Sequence, residues 1–126
     1  MDYISPIHQE ILNTLNQISV QVIINDHPIC YSRQYDGYVL SIKDLRNTSG
    51  KTQLLLCTNV TREFRDDWKR EVERTIAHET IHVAQACKSN DGYIRPLGFK
   101  DDIEKESFAV QNQPREVLRI LKKYCL

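Results

Sequence analysis

Residues 75–87 read TIAHETIHVAQAC, and Glu79 is the only formally charged side chain among them. The stretch just before, REFRDDWKREVER (62–74), is mostly charged. An isolated charge removed from water is costly, so a carboxylate kept in an apolar stretch needs something that stabilises it. The flanking residues suggest what that is. His78-Glu79-Thr80-Ile81-His82 is an HExxH motif. On a helix, residues four apart lie about 40° apart around the axis, so both imidazoles point the same way. They can bind one zinc ion, Zn2+, at about 2.0–2.1 Å. Glu79 lies about 100° round from His78. That is too far to share the ion easily, and well placed to take a proton from a water that the ion activates. The expected role of Glu79 is general base. The plainer alternative is a pair of core histidines and a glutamate paired with an arginine such as Arg95. The apolar setting counts against it, because a solvated helix face would look like residues 62–74.

A catalytic zinc site needs a third protein ligand and an open position. The extended pattern HExxHxxGxxH would supply a third histidine, but this chain has Gln85 and Lys88 where that pattern has glycine and histidine. The next carboxylates are Asp101, Asp102, Glu104 and Glu106, in DDIEKESFAVQNQ. Glu104 and Glu106 are two apart, so on a helix they point roughly 200° apart and only one can face a metal. Glu104 shares a face with Ser107, Phe108 and Gln111; Glu106 shares one with Ile103, Ala109 and Val110. Helix geometry alone does not choose between them. The one not used is expected to be a solvated surface acid.

These residues need elements to hold them. Ser5-Pro6 reads as a helix start, with the serine as cap and the proline at the first helical position. Ile7, Ile11, Leu12, Leu15 and Ile18 continue it at helical spacing. SVQVIIN (19–25), GYVLSI (37–42) and TQLLLCTN (52–59) read as three strands. From about Thr61 to Lys88 the pattern is helical, closed by Ser89-Asn90-Asp91-Gly92. Asp101 or Asp102 opens another helix, to about Asn112, and Pro114 opens a last one. The order is helix, three strands, then three helices. It predicts an α+β domain, a small sheet of about three strands packed on helices.

The 126 residues fit one domain, residues 1–126, with a real core. The apolar fraction of 40% and charged fraction of 27% suit a soluble globular protein. Basic and acidic residues balance at 17 each, so net charge does not point to nucleic acid. The N-terminal stretch has neither a basic start nor an unbroken apolar run, so neither a signal peptide nor a membrane segment is expected there. Cys30, Cys57, Cys87 and Cys125 are widely spaced, and without a secretion signal free thiols and a cytoplasmic location are expected.

HETIHVAQ, followed by a helix carrying ExxS or ExxA, resembles the gluzincins, the thermolysin-like branch of the zincin metallopeptidases. The resemblance covers about residues 62–112. It implies a minimal zincin-like domain in which the HExxH helix is followed by a ligand helix. In that group the ligand helix has a small residue three positions after its glutamate. Glu104 with Ser107 and Glu106 with Ala109 both fit. Small gluzincin-like proteins often carry a Glu-x-Glu-Ala run in which the first glutamate is the ligand, and this favours Glu104. The resemblance thus implies His78, His82 and Glu104 as zinc ligands, Glu79 as base, and a peptide or protein as substrate. Tyr93, Arg95 and Tyr124 are candidates to stabilise the oxyanion. The rival expectation is a zincin-like module that binds metal or a partner without proteolysis.

Overall fold

The computed structural model describes residues 4–24, 53–56, 68–89 and 93–126. They form four helices and two short strands: α1 (Pro6–Gln17), β1 (Gln21–Ile24), β2 (Gln53–Leu56), α2 (Trp68–Ser89), α3 (Ile103–Val110) and α4 (Pro114–Cys125).

Helix α1 starts as its sequence suggests. Ser5 is extended, its side chain accepts from the His8 N–H, and Pro6 opens the helix. Its end is less ordinary. Ser19 takes a positive φ of 67°. The Ser19 N–H donates to Asn16 O at 3.1 Å and the Val20 N–H to Leu15 O at 2.9 Å. This is the pair of bonds of a Schellman turn, with serine where glycine is usual. Leu15 and Val20 are both buried beside it. The chain is thereby turned directly into β1. His8 is buried against the Ser5 hydroxyl, and Glu73 lies 3.4 Å from its ring.

The expected α+β domain with a three-strand sheet is not what the structure has. The described residues are mostly helical. Among the described residues strand is confined to β1 and β2, four residues each, which pair in parallel from Gln21 opposite Gln53 to Ile24 opposite Leu56. The expected strand at 37–42 lies outside the described residues. Short alternating apolar runs show that a segment can be extended, but not how many segments pair. Here the apolar surface is covered by helix faces instead. Helix α2 packs on α4, α3 and α1, and Leu54 of β2 is sealed into the same core. Ile11 and Leu15 of α1, Val72, Ile76 and Ile81 of α2, and Leu121 of α4 are all but inaccessible to solvent.

The expectation of free thiols is also overturned at two of the four cysteines. Cys87, in the last turn of α2, is bonded to Cys125, at the end of α4, with their Cα atoms 5.3 Å apart. Sequence spacing does not report this proximity, because it arises from the packing of α4 on α2. No helix among the described residues is long and apolar enough to cross a membrane.

The disulfide closes a loop of 38 residues. Loops of this order contribute about 2–4 kcal/mol. Cys125→Ser should therefore lower the urea-unfolding free energy by about that amount, and non-reducing peptide mapping of the wild type should recover the two cysteine peptides linked.

Candidate metal centre

The site is built where α3 crosses α2. His78 and His82 stand one turn apart on α2, with ring centroids 5.2 Å apart and planes nearly perpendicular. Glu104 projects from the first turn of α3, which Asp102 caps by accepting from the Glu104 and Lys105 N–H groups. One Glu104 oxygen lies 3.1 Å from His78 Nε2 and the other 2.6 Å from His82 Nε2. The candidate ligand atoms of the three residues lie within 4.8 Å of one another, so the group could hold a metal ion. Both imidazoles are largely buried, while half of the Glu104 side chain remains exposed.

Each histidine is oriented from behind. His82 Nδ1 donates to Gln85 Oε1 at 2.7 Å, and His78 Nδ1 donates to Gln111 Oε1 at 2.9 Å. Protons on both Nδ1 atoms leave both Nε2 atoms with lone pairs aimed at the Glu104 carboxylate. Acceptors gathered this closely are stabilised by a cation among them, whether a proton or a metal ion. Nitrogen and oxygen donors in this combination suit zinc, and a second hydrogen bond on each ring is what zinc-ligating histidines normally have. The donor set therefore fits the ion that the motif implies.

Small and buried contacts let α3 come this close. Ser107, fully buried, donates its hydroxyl to His78 O at 3.0 Å. Phe108 meets the His78 ring edge-on at 4.8 Å and is otherwise mostly exposed, forming an apolar rim.

Glu106 is not the surface acid that sequence reasoning allowed for. It is completely buried. Its Oε1 accepts from Leu97 N–H at 2.7 Å and from the Gln85 amide at 2.9 Å. Its Oε2 accepts from the N–H groups of Gly98, Phe99 and Lys100 at 2.8, 3.1 and 3.2 Å. Burial opposes its charge, but the bonds from Leu97, Gln85, Gly98 and Lys100 outweigh that and hold its carboxyl below the usual range. The turn that aligns these N–H groups passes through Gly98 at φ 118°, a conformation side chains rarely adopt. The role of Glu106, like that of Gln85, had no signature in the sequence: Gln85 registered only as a departure from the extended zinc motif. Of the oxyanion candidates, Arg95 lies over the Tyr93 ring, and Tyr124 lies under the Lys88 and Lys123 ammonium groups.

Glu79, next to His78 on α2, has its carboxyl pushed up to about 8, first by burial and then by the neighbouring charge of Glu104. It is a carboxyl disposed to hold a proton near neutral pH.

A family model, Domain of unknown function (DUF8637), matches residues 1–102, and the chain belongs to that family. The match includes His78, Glu79 and His82 and ends two residues short of Glu104. No curated protein and no solved structure matches the chain.

The raised pKa of Glu79 carries a linkage prediction for protein held in chelator. Below about 4.5 the carboxyl is protonated in both folded and unfolded chains. From there up to about 8 the unfolded chain loses this proton and the folded chain keeps it, so this group makes stability fall as pH rises. Glu79→Gln cannot ionise and should flatten that fall. Urea unfolding of both proteins across this range, with chelator throughout, measures the difference, and parallel pH profiles would contradict it.

Proposed function

We propose that this DUF8637 protein is a zinc-dependent peptidase of gluzincin type, with His78, His82 and Glu104 as the ligands and Glu79 as the general base. The observation that carries the reading is the convergence of two imidazole Nε2 atoms, one helical turn apart, and a carboxylate on one point. When bound, the zinc supplies a Lewis acid that activates a water and polarises a peptide carbonyl. The chain's own residues do the rest. Gln85 and Gln111 hold the two rings with their Nε2 lone pairs toward the site. Glu79 takes a proton on its carboxylate and can pass it to the departing amine. A cation nearby favours the charged form of Glu79, drawing its pKa down toward the range in which a base works. The half-exposed Glu104 and the Phe108 edge leave the site open on one side to an extended peptide.

The rival reading of a metal held only for structure is disfavoured by the way the fold is secured. The core of α1, α2, α4 and β2 and the Cys87–Cys125 disulfide do not depend on the ion. A disulfide also persists best in an oxidising compartment. We therefore infer such a setting in place of the expected cytoplasmic one.

The purified wild type should contain about one zinc per chain, and His82→Ala and Glu104→Ala should lose it. Glu79→Gln should keep the metal and cleave a peptide about 10²–10⁴ times more slowly. Chelation should abolish cleavage while the helical circular dichroism persists; unfolding on chelation would favour a structural site. A wild type prepared without chelator that holds no metal would sink the proposal.

A further inference from the structure

We propose that Glu106 is a positioning residue that sets the proton on His82 through Gln85, making the 97–100 loop part of the metal centre. This rests on the reading of His78, His82 and Glu104 as a zinc site.

An imidazole offers a lone pair at one nitrogen only when its proton is on the other. For His82 the decision is made at Nδ1, where the Gln85 amide sits. An amide by itself is ambivalent, since either its oxygen or its NH2 group could face the ring. Gln85 has no such freedom. Its NH2 group donates to Glu106 Oε1 at 2.9 Å and to Ile103 O at 3.1 Å. Reversing the amide would set its oxygen against both of these acceptors. It would also aim the NH2 group at Nδ1, drive the ring proton to Nε2, and remove the lone pair facing Glu104. In a fully buried site such clashes are expensive. The carboxylate of Glu106 thus selects the tautomer of a ring it does not touch.

Glu106 is itself unable to turn away. Four successive backbone N–H groups, Leu97 to Lys100, clamp its two oxygens, a backbone nest of the kind that binds anions. The relay runs from the loop to Glu106, then Gln85, then His82. Partners behind ligating histidines typically matter about 10–100-fold in metal affinity.

The test is a double-mutant cycle on Zn2+ affinity, measured by competition with a chelator, on wild type, Gln85→Met, Glu106→Gln and the double variant. Methionine keeps the length of Gln85 and removes both hydrogen-bonding ends. Each single variant should bind Zn2+ about 10–100-fold more weakly, and the double variant no more weakly than the worse single, because both cut one relay. Losses that multiply, or a Gln85→Met variant that binds like wild type, would overturn the proposal. A second readout does not depend on zinc. In metal-free wild type the His82 Nδ1 proton should give a protected, downfield imidazole signal. It should vanish in Gln85→Met and exchange faster in Glu106→Gln, although that change does not touch the ring. If Glu106→Gln fails to fold, Glu106→Asp, whose shorter carboxylate cannot reach both Gln85 and the loop, takes its place; a His82 Nδ1 proton as protected in it as in wild type refutes the relay, as does a wild type lacking that proton. Wild type without zinc but with that protected proton, lost in Gln85→Met, would leave the relay standing and remove the zinc reading. Tight zinc binding unaffected by either substitution would do the opposite.

Discussion

The fully buried carboxylate of Glu106 is the constraint around which the second half of the chain is arranged. A charge without access to water must have its oxygens satisfied by protein donors, and here five donors meet them. Four come from the 97–100 loop, which must therefore wrap the start of α3. The fifth comes from Gln85, one turn beyond His82 on α2. Together they fix α3 in rotation and in distance from α2. With Glu106 committed to the loop and Gln85, Glu104 lies on another side of the helix and comes to rest over the two imidazoles.

That placement concentrates acceptors. Glu104 and two ring nitrogens share a small, partly desolvated space, and the charge of Glu104 acts on the buried carboxyl of Glu79. Burial first, and then the charge of Glu104, push the Glu79 carboxyl above its usual range. A site that is unfavourable without a cation is favourable with one, and the same burial that strains the charges strengthens their attraction to an ion. An ion held there would favour the charged form of Glu79.

The helical scaffold explains how a chain of this length can bear such strain. The apolar faces of α1, α2 and α4 close on one another with Leu54 and Leu56 of β2, and Cys87–Cys125 joins the ends of α2 and α4. Much of this was legible beforehand. The cap at Ser5, the starts of α3 and α4 and the long motif helix follow from local rules of capping and periodicity. The sheet was not. β1 and β2 are extended as their apolar runs suggest, but pairing is a long-range choice, and a run such as QLLL does not reveal its partner or its direction. The disulfide was missed for the same reason, since residues 38 apart in sequence meet only once α4 has packed.

What the sequence by itself determined is the motif helix, with His78 and His82 on one face and Glu79 beside them, because helix geometry converts spacing directly into direction. It also narrowed the third acid to a pair, since residues two apart on a helix cannot share a face. Helix geometry does not choose between them; the family resemblance favours Glu104, and the packing of α3 on α2 is what sets it over the imidazoles. Glu104 and Glu106 have nearly the same neighbours in sequence, and what separates them is a cage of backbone N–H groups from a loop with its own turn at Gly98. The tautomers of the histidines belong to the same category. They depend on Gln85 and Gln111, and on what those amides touch in turn, and such contacts exist only after α3 is packed on α2.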